Sequence, residues 1–78
     1  MKSFTFDNVI KMADISGCYI VVAHNKVYDI SKMLTRHPGG KFVITSNNGK
    51  DVTKHLDFHS LRAKEMWAKY QIGILKKS

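Results

Sequence analysis

The chain has 78 residues, 13 Lys/Arg against 6 Asp/Glu, and a net charge of +7, which sets the expectation of one small, strongly basic domain over residues 1–78. A domain of this size buries only about 60% of its unfolded surface. Its one cysteine, Cys18, excludes an internal disulfide, so a bound prosthetic group is a reasonable source of extra stability. No apolar run approaches the ~20 residues of a membrane span, and the opening "MKSFTFDNV" lacks the apolar stretch of a signal peptide. The expectation is a soluble, cytoplasmic monomer with no membrane anchor in this chain.

In chain order, Phe4–Thr5–Phe6 is strand-like, and Asp7 is placed to cap a short helix carrying Val9, Ile10 and Met12. Ser16–Gly17 breaks it. "CYIVVA" is β-branched and aromatic, which predicts a strand, with Tyr19 to Ala23 apolar enough to be buried. "HNK" turns the chain and "VYDI" is a second strand, making a hairpin. Ser31 is placed to cap a short helix through Leu34 and Thr35. "HPGG" then stops it. "KFVITS" is too short for its period to separate helix from strand. "NNGK" is a turn, after which Asp51 or Thr53 can open another helix. Ser60 is placed to cap a helix from Leu61 to about Tyr70, with Leu61, Met66 and Tyr70 on one face. "QIGIL" closes the chain as a strand interrupted by Gly73. Strands at both ends and short helices between them make an α+β pattern.

The charge suits an acidic partner, an anionic membrane surface or a nucleic acid. The basic residues are scattered, without the interleaved aromatics of a single-strand-binding surface, which disfavours nucleic acid.

The histidines carry the chemistry. His24 lies in the hairpin turn with no ligand partner near it in sequence, and is expected to be structural or exposed. Pro38 drives His37 out of helical backbone, and Gly39 and Gly40 permit close approach. The turn either ends a helix or holds one imidazole in a fixed direction. His55 and His59 are four apart, as in a zinc helix. No glutamate follows His55, however, and a tetrahedral zinc site with three histidines would need a further ligand. Histidines on two separate segments also suit a haem iron held from both faces across an apolar slot. Met33, Val43, Ile44, Leu56, Phe58, Leu61 and Met66 flank them, as slot or as ordinary core.

"NKVYDISKMLTRHPGG", then "DVT", "HS" and "IGIL", resembles a cytochrome b5 domain from about Phe4 to Leu75. The resemblance implies a small mixed β-sheet with short helices in two pairs forming a haem cleft. It implies non-covalent haem b (iron protoporphyrin IX) with His37 and His59 as axial ligands, and the chain has no C-x-x-C-H for covalent attachment. It places Met33, Pro38, Gly39, Val43, Ile44, Leu56, Phe58, Ser60, Leu61 and Met66 around the cofactor, with Ser60 matching the family serine that bonds a propionate. Three departures stand out. Two residues common in the family are missing between Leu56 and His59, which keeps His55 as the alternative ligand; Ser60 directly after His59 favours His59. Leu56 stands where phenylalanine is usual, with Phe58 close by. Finally, Lys32, Arg36, Lys41, Lys50, Lys54, Arg62 and Lys64 face only Asp51 and Asp57 in a stretch that is acidic in familiar members.

The resemblance implies a one-electron carrier rather than an enzyme. A flavin-dependent reductase would be the donor, and a lipid desaturase, hydroxylase or oxygenase the acceptor, with an acidic docking face. The alternatives are a regulatory module of the same fold binding haem or a lipid-like ligand, and a basic nucleic-acid-binding protein.

Overall fold

The computed structural model describes residues 2–36, 45–57 and 61–76. Four strands form one mixed sheet in the order β1-β4-β3-β2. They are β1 (Lys2–Phe4), β2 (Ile20–Ala23), β3 (Lys26–Asp29) and β4 (Gln71–Leu75). β2 and β3 are the predicted hairpin, β3 pairs antiparallel with β4, and β1 lies parallel to β4. The first and last strands are therefore neighbours, and the chain closes on itself.

Both faces of the sheet are covered, so β2 is buried at every position. Its period of two still sorts the side chains. Ile20 and Val22 join Val9 and Val27 on one face, where Phe4, Met12, Ile72 and Leu75 pack. Val21 and Ala23 join Tyr28, Ile30, Met33, Val52, Leu56 and Trp67 on the other. The first face is covered by helix α1 (Phe6–Ala13). The second receives a 3₁₀ helix (Ser31–Arg36) and two short helices, α2 (Thr53–Asp57) and α3 (Leu61–Ala68).

Several local expectations shift. The first strand is Lys2–Phe4, and Phe6 already begins α1. Thr5, not Asp7, caps that helix. Its extended backbone lets its hydroxyl accept from the Asn8 N–H (3.1 Å) while the Asn8 side-chain oxygen accepts from the Thr5 N–H (3.0 Å). Asp7 is left in the first turn, where its charge complements the helix dipole. Ser31 begins the 3₁₀ helix but does not serve as its expected cap. Its hydroxyl donates to Asp29 (2.6 Å) and accepts from the Tyr19 N–H (2.9 Å), tying the hairpin's end to its beginning.

Gly73 does not end β4, although the pairing with β3 shifts register next to it, between Val27 and Tyr28. It is buried within the strand because a Cβ there would meet the Lys2 carbonyl oxygen at 2.5 Å and the Phe4 ring at 2.5 Å. A side chain at this position would push β1 off the sheet. "NNGK" turns as expected, but Asn48 acts as a buckle. Its side-chain oxygen accepts from the Ile20 N–H (2.8 Å), and its amide donates to the carbonyls of Ala13 (2.8 Å) and Cys18 (3.1 Å). Gly49 follows with a φ of +79°.

Candidate haem-cleft floor and its supporting segment

The Asn48 buckle starts a run of chain laid along the free edge of β2. The Gly49 N–H donates to the Ile20 carbonyl (2.7 Å), the Val22 N–H to Lys50 (3.0 Å) and the Val52 N–H back to Val22 (2.7 Å). These bonds cover an edge that would otherwise present unpaired backbone. They also fix where α2 begins. Asp51 accepts both the N–H (2.9 Å) and the hydroxyl (2.7 Å) of Thr53, so its carboxylate caps the helix that Thr53 opens. Of the two residues expected to start α2, one supplies the cap and the other the first turn.

α2 in turn delivers Leu56 to the core. Leu56 is buried with Met33 from the 3₁₀ helix, against Val21, Ile30, Val52, Tyr28 and Trp67. The structure thus brings together two of the expected apolar site residues, Met33 and Leu56. Both are expected from the sequence near a cofactor, and they share a floor formed by the sheet.

Leu61 and Met66 do not join that floor. They lie on α3 with 74% and 48% of their surface exposed, and the buried residue of the helix is Trp67. Positions 61 and 66 are about 140° apart at 3.6 residues per turn, so one helix face cannot carry both. The expected common face of Leu61, Met66 and Tyr70 is replaced by one centred on Trp67. The helix ends at Ala68, and Tyr70 then tightens into a turn through its N–H to the Trp67 carbonyl (2.8 Å).

Trp67 meets Tyr28 edge to face, with ring centres 5.4 Å apart and an interplanar angle of 70°. Burial pushes the Tyr28 phenol above its ordinary value of 10.0, because the tyrosinate would lose its water. Trp67 is the residue that sequence reasoning missed here; it is the sole tryptophan and sits one position from Met66.

His24 lies in the turn between β2 and β3, half exposed as expected. It does have a partner, through a ring nitrogen 2.7 Å from the Asp57 carboxylate. His55 occupies the third position of α2. The remaining site expectations, His37, Pro38, Gly39, Val43, Ile44, Phe58, His59 and Ser60, lie outside the described residues. Among the described residues, no helix is long and apolar enough to cross a membrane.

A family model described as "Cytochrome b5-like Heme/Steroid binding domain" matches residues 5–76. Cytochrome b5 of Rhizopus stolonifer is 42% identical over 76 residues, which cover 95% of this chain and 57% of that protein. Nitrate reductase [NADH] 1 of Zea mays is 44% identical over 75 residues, 95% of this chain but 12% of that protein. Among solved structures, cytochrome b5 of Ostreococcus tauri virus 2 superposes with a TM-score of 0.77 at 30% identity, covering 94% of this chain and 95% of that one. The chain spans a little over half the length of the curated cytochrome b5 relatives it matches.

Proposed function

Because the chain belongs to the family of cytochrome b5-like haem/steroid-binding domains, we propose that its 78 residues act as one haem-binding unit that carries single electrons in the cytoplasm. One observation carries the reading: the family match runs over residues 5–76 and contains both His37 and His59. The described residues fit a porphyrin. Met33 and Leu56 are buried together in an apolar floor, and Leu61 and Met66 leave apolar surface exposed on α3. Haem b, when bound, supplies an Fe(II)/Fe(III) couple.

The chain's own residues do the rest. His37 and His59 would hold the iron through their imidazoles, which would leave it no open position for oxygen or substrate and the domain no bond-making chemistry. Pro38 and Gly39 would set the direction of His37. Val43, Ile44, Leu56, Phe58 and Met66 would exclude water from the ring, and Ser60 would donate to a propionate. Without C-x-x-C-H the haem is held non-covalently. The donor is a flavin-dependent reductase and the acceptor a redox enzyme such as a lipid desaturase, hydroxylase or oxygenase. Lys32, Lys50, Lys54 and Arg62 are exposed, which favours partners with an acidic docking face.

The test is spectroscopic. Reconstituted protein should give a six-coordinate, low-spin spectrum in both oxidation states, and the reduced form should resist carbon monoxide. His59→Ala should lose the low-spin spectrum or the haem, while His55→Ala keeps both. Rapid formation of a carbonyl adduct would show an open axial site. Exchanged behaviour of the two variants would move the ligand to His55.

A further inference from the structure

The two residues of the β2–β3 turn, His24 and Asn25, have φ angles of +50° and +60°. Two-residue turns of this hand favour asparagine and glycine. Histidine is tolerated there, but it gives the turn nothing that asparagine would not. Asp57 is also locally misplaced. It is the last residue of α2, where a carboxylate opposes the negative end of the helix dipole. These two locally unfavoured residues meet each other. The His24 Nε2 lies 2.7 Å from the Asp57 Oδ1, across 33 positions of sequence. An ionised carboxylate only accepts hydrogen bonds, so Nε2 carries the proton.

His24 holds the other end of α2 as well. Its backbone N–H donates to the Thr53 hydroxyl (2.9 Å), which donates onward to Asp51 (2.7 Å). One turn residue is thus bonded to the first and the last residue of a five-residue helix. A pair in which both side chains are half exposed adds little to global stability. What it fixes is the place and direction of the C-terminal end of α2. Two residues of chain separate their Cα atoms by no more than about 7 Å. The position of Asp57 therefore limits where His59, two residues on, can stand.

We infer that His24 is a positioning residue for the second haem ligand: through Asp57 it anchors the end of α2 from which the chain continues to His59. The inference rests on His59 being a ligand, as proposed above. Partners that orient a metal ligand through a hydrogen bond typically change affinity 10–100-fold when removed; acting two residues away, His24 should contribute about three- to tenfold.

His24→Asn separates positioning from turn formation, because asparagine suits the turn but is too short to reach Asp57. The measurements are haem loss to an excess of apomyoglobin, the unfolding midpoint of the apoprotein, and the ferric low-spin electron paramagnetic resonance signal, which reads the relative orientation of the two imidazole planes. His24→Asn and Asp57→Ala should each speed haem loss about three- to tenfold and shift the low-spin signal, with the apoprotein midpoint unchanged. The double variant should lose haem no faster than either single one, since both remove the same contact. Haem loss within about twofold of the parent, or a double variant whose effect is the product of the singles, overturns the positioning role alone. So does a midpoint that falls in step with haem loss, which marks the contact as merely structural. A parent that takes up no haem overturns the reading of function and this inference with it.

Discussion

Gly73→Ala tests how the first strand is held on the sheet. Two effects of opposite sign compete there. Gly17 and Gly49 are the described glycines with positive φ, so the backbone of Gly73 would accept alanine, and such a change ordinarily stabilises by about 0.4–1 kcal/mol through the unfolded chain. Against this, the new methyl would sit 2.5 Å from the Phe4 ring and 2.5 Å from the Lys2 carbonyl oxygen. Carbon atoms sit comfortably at about 3.5 Å, so the ring would have to retreat by roughly 1 Å. The Lys2 oxygen belongs to the backbone of β1, and moving it breaks the Lys2–Gly73 register. Overpacking of this kind costs about 1–3 kcal/mol, and a backbone obstacle puts the cost at the upper end. At about 4–8 °C per kcal/mol for a domain of this size, a net loss of ~2 kcal/mol lowers the melting midpoint by roughly 8–16 °C. Thermal unfolding followed by circular dichroism reads the shift. Phe4 packs on the α1 face of the sheet, opposite Met33 and Leu56, so the low-spin haem spectrum should survive. A midpoint that rises, or falls by less than about 4 °C, would refute the steric argument. Loss of the haem spectrum at a temperature where the fold persists would refute the separation of the two faces.

Two further outcomes are expected. Burial raises the Tyr28 phenol above its ordinary value, so the unfolded chain releases this proton first as pH climbs. The stabilisation is complete below about pH 10 and is lost through the folded-state value above it. Tyr28→Phe should flatten the decline of stability above pH 10, as monitored by Trp67 fluorescence; an unchanged slope would remove Tyr28 as its cause. Electron exchange with an acidic redox protein should slow, and with a basic one quicken, as the Debye length falls from about 30 Å at 0.01 M salt to about 10 Å at 0.1 M. Equal trends for the two in stopped-flow reduction would mean that the exposed lysines serve solubility and do not steer docking.

What could be read from the sequence followed how local each cause was. The β2–β3 hairpin was legible because two β-rich runs flank a short polar turn, and both sides of the argument lie within ten residues. The cap of α1 lies at Thr5, two positions before the expected Asp7. Its reciprocal partner is Asn8, whereas the familiar pattern carries glutamate or glutamine, and the nearer acid, Asp7, drew the assignment. α3 was placed correctly, but its buried face was assigned from Leu61 and Met66. Trp67 takes that face because Tyr28, 39 positions earlier, offers it an edge to pack on. Asn48 and Gly73 were visible only as a turn residue and a weak point in a strand. Their reasons are bonds and contacts to Ala13, Ile20, Lys2 and Phe4, which the fold alone brings near.

The candidate site divides in the same way. Spacing alone left the His37 turn undecided between a helix stop and a ligand clamp, and left His55 beside His59. The extended motif from Asn25 to Gly40 made the family recognisable, because its residues answer to one another across the whole fold. In the structure, Tyr28 of that motif lies under Trp67, Asp29 and Ser31 tie the hairpin's ends together, and Met33 sits on the floor with Leu56. A motif of this length is specific because several of its positions have separate physical duties, and a chance match would have to meet them together. His24 stands one residue outside it. Its duty is to a carboxylate 33 positions away, so only the folded chain shows why a histidine occupies a turn that asparagine would have made as well.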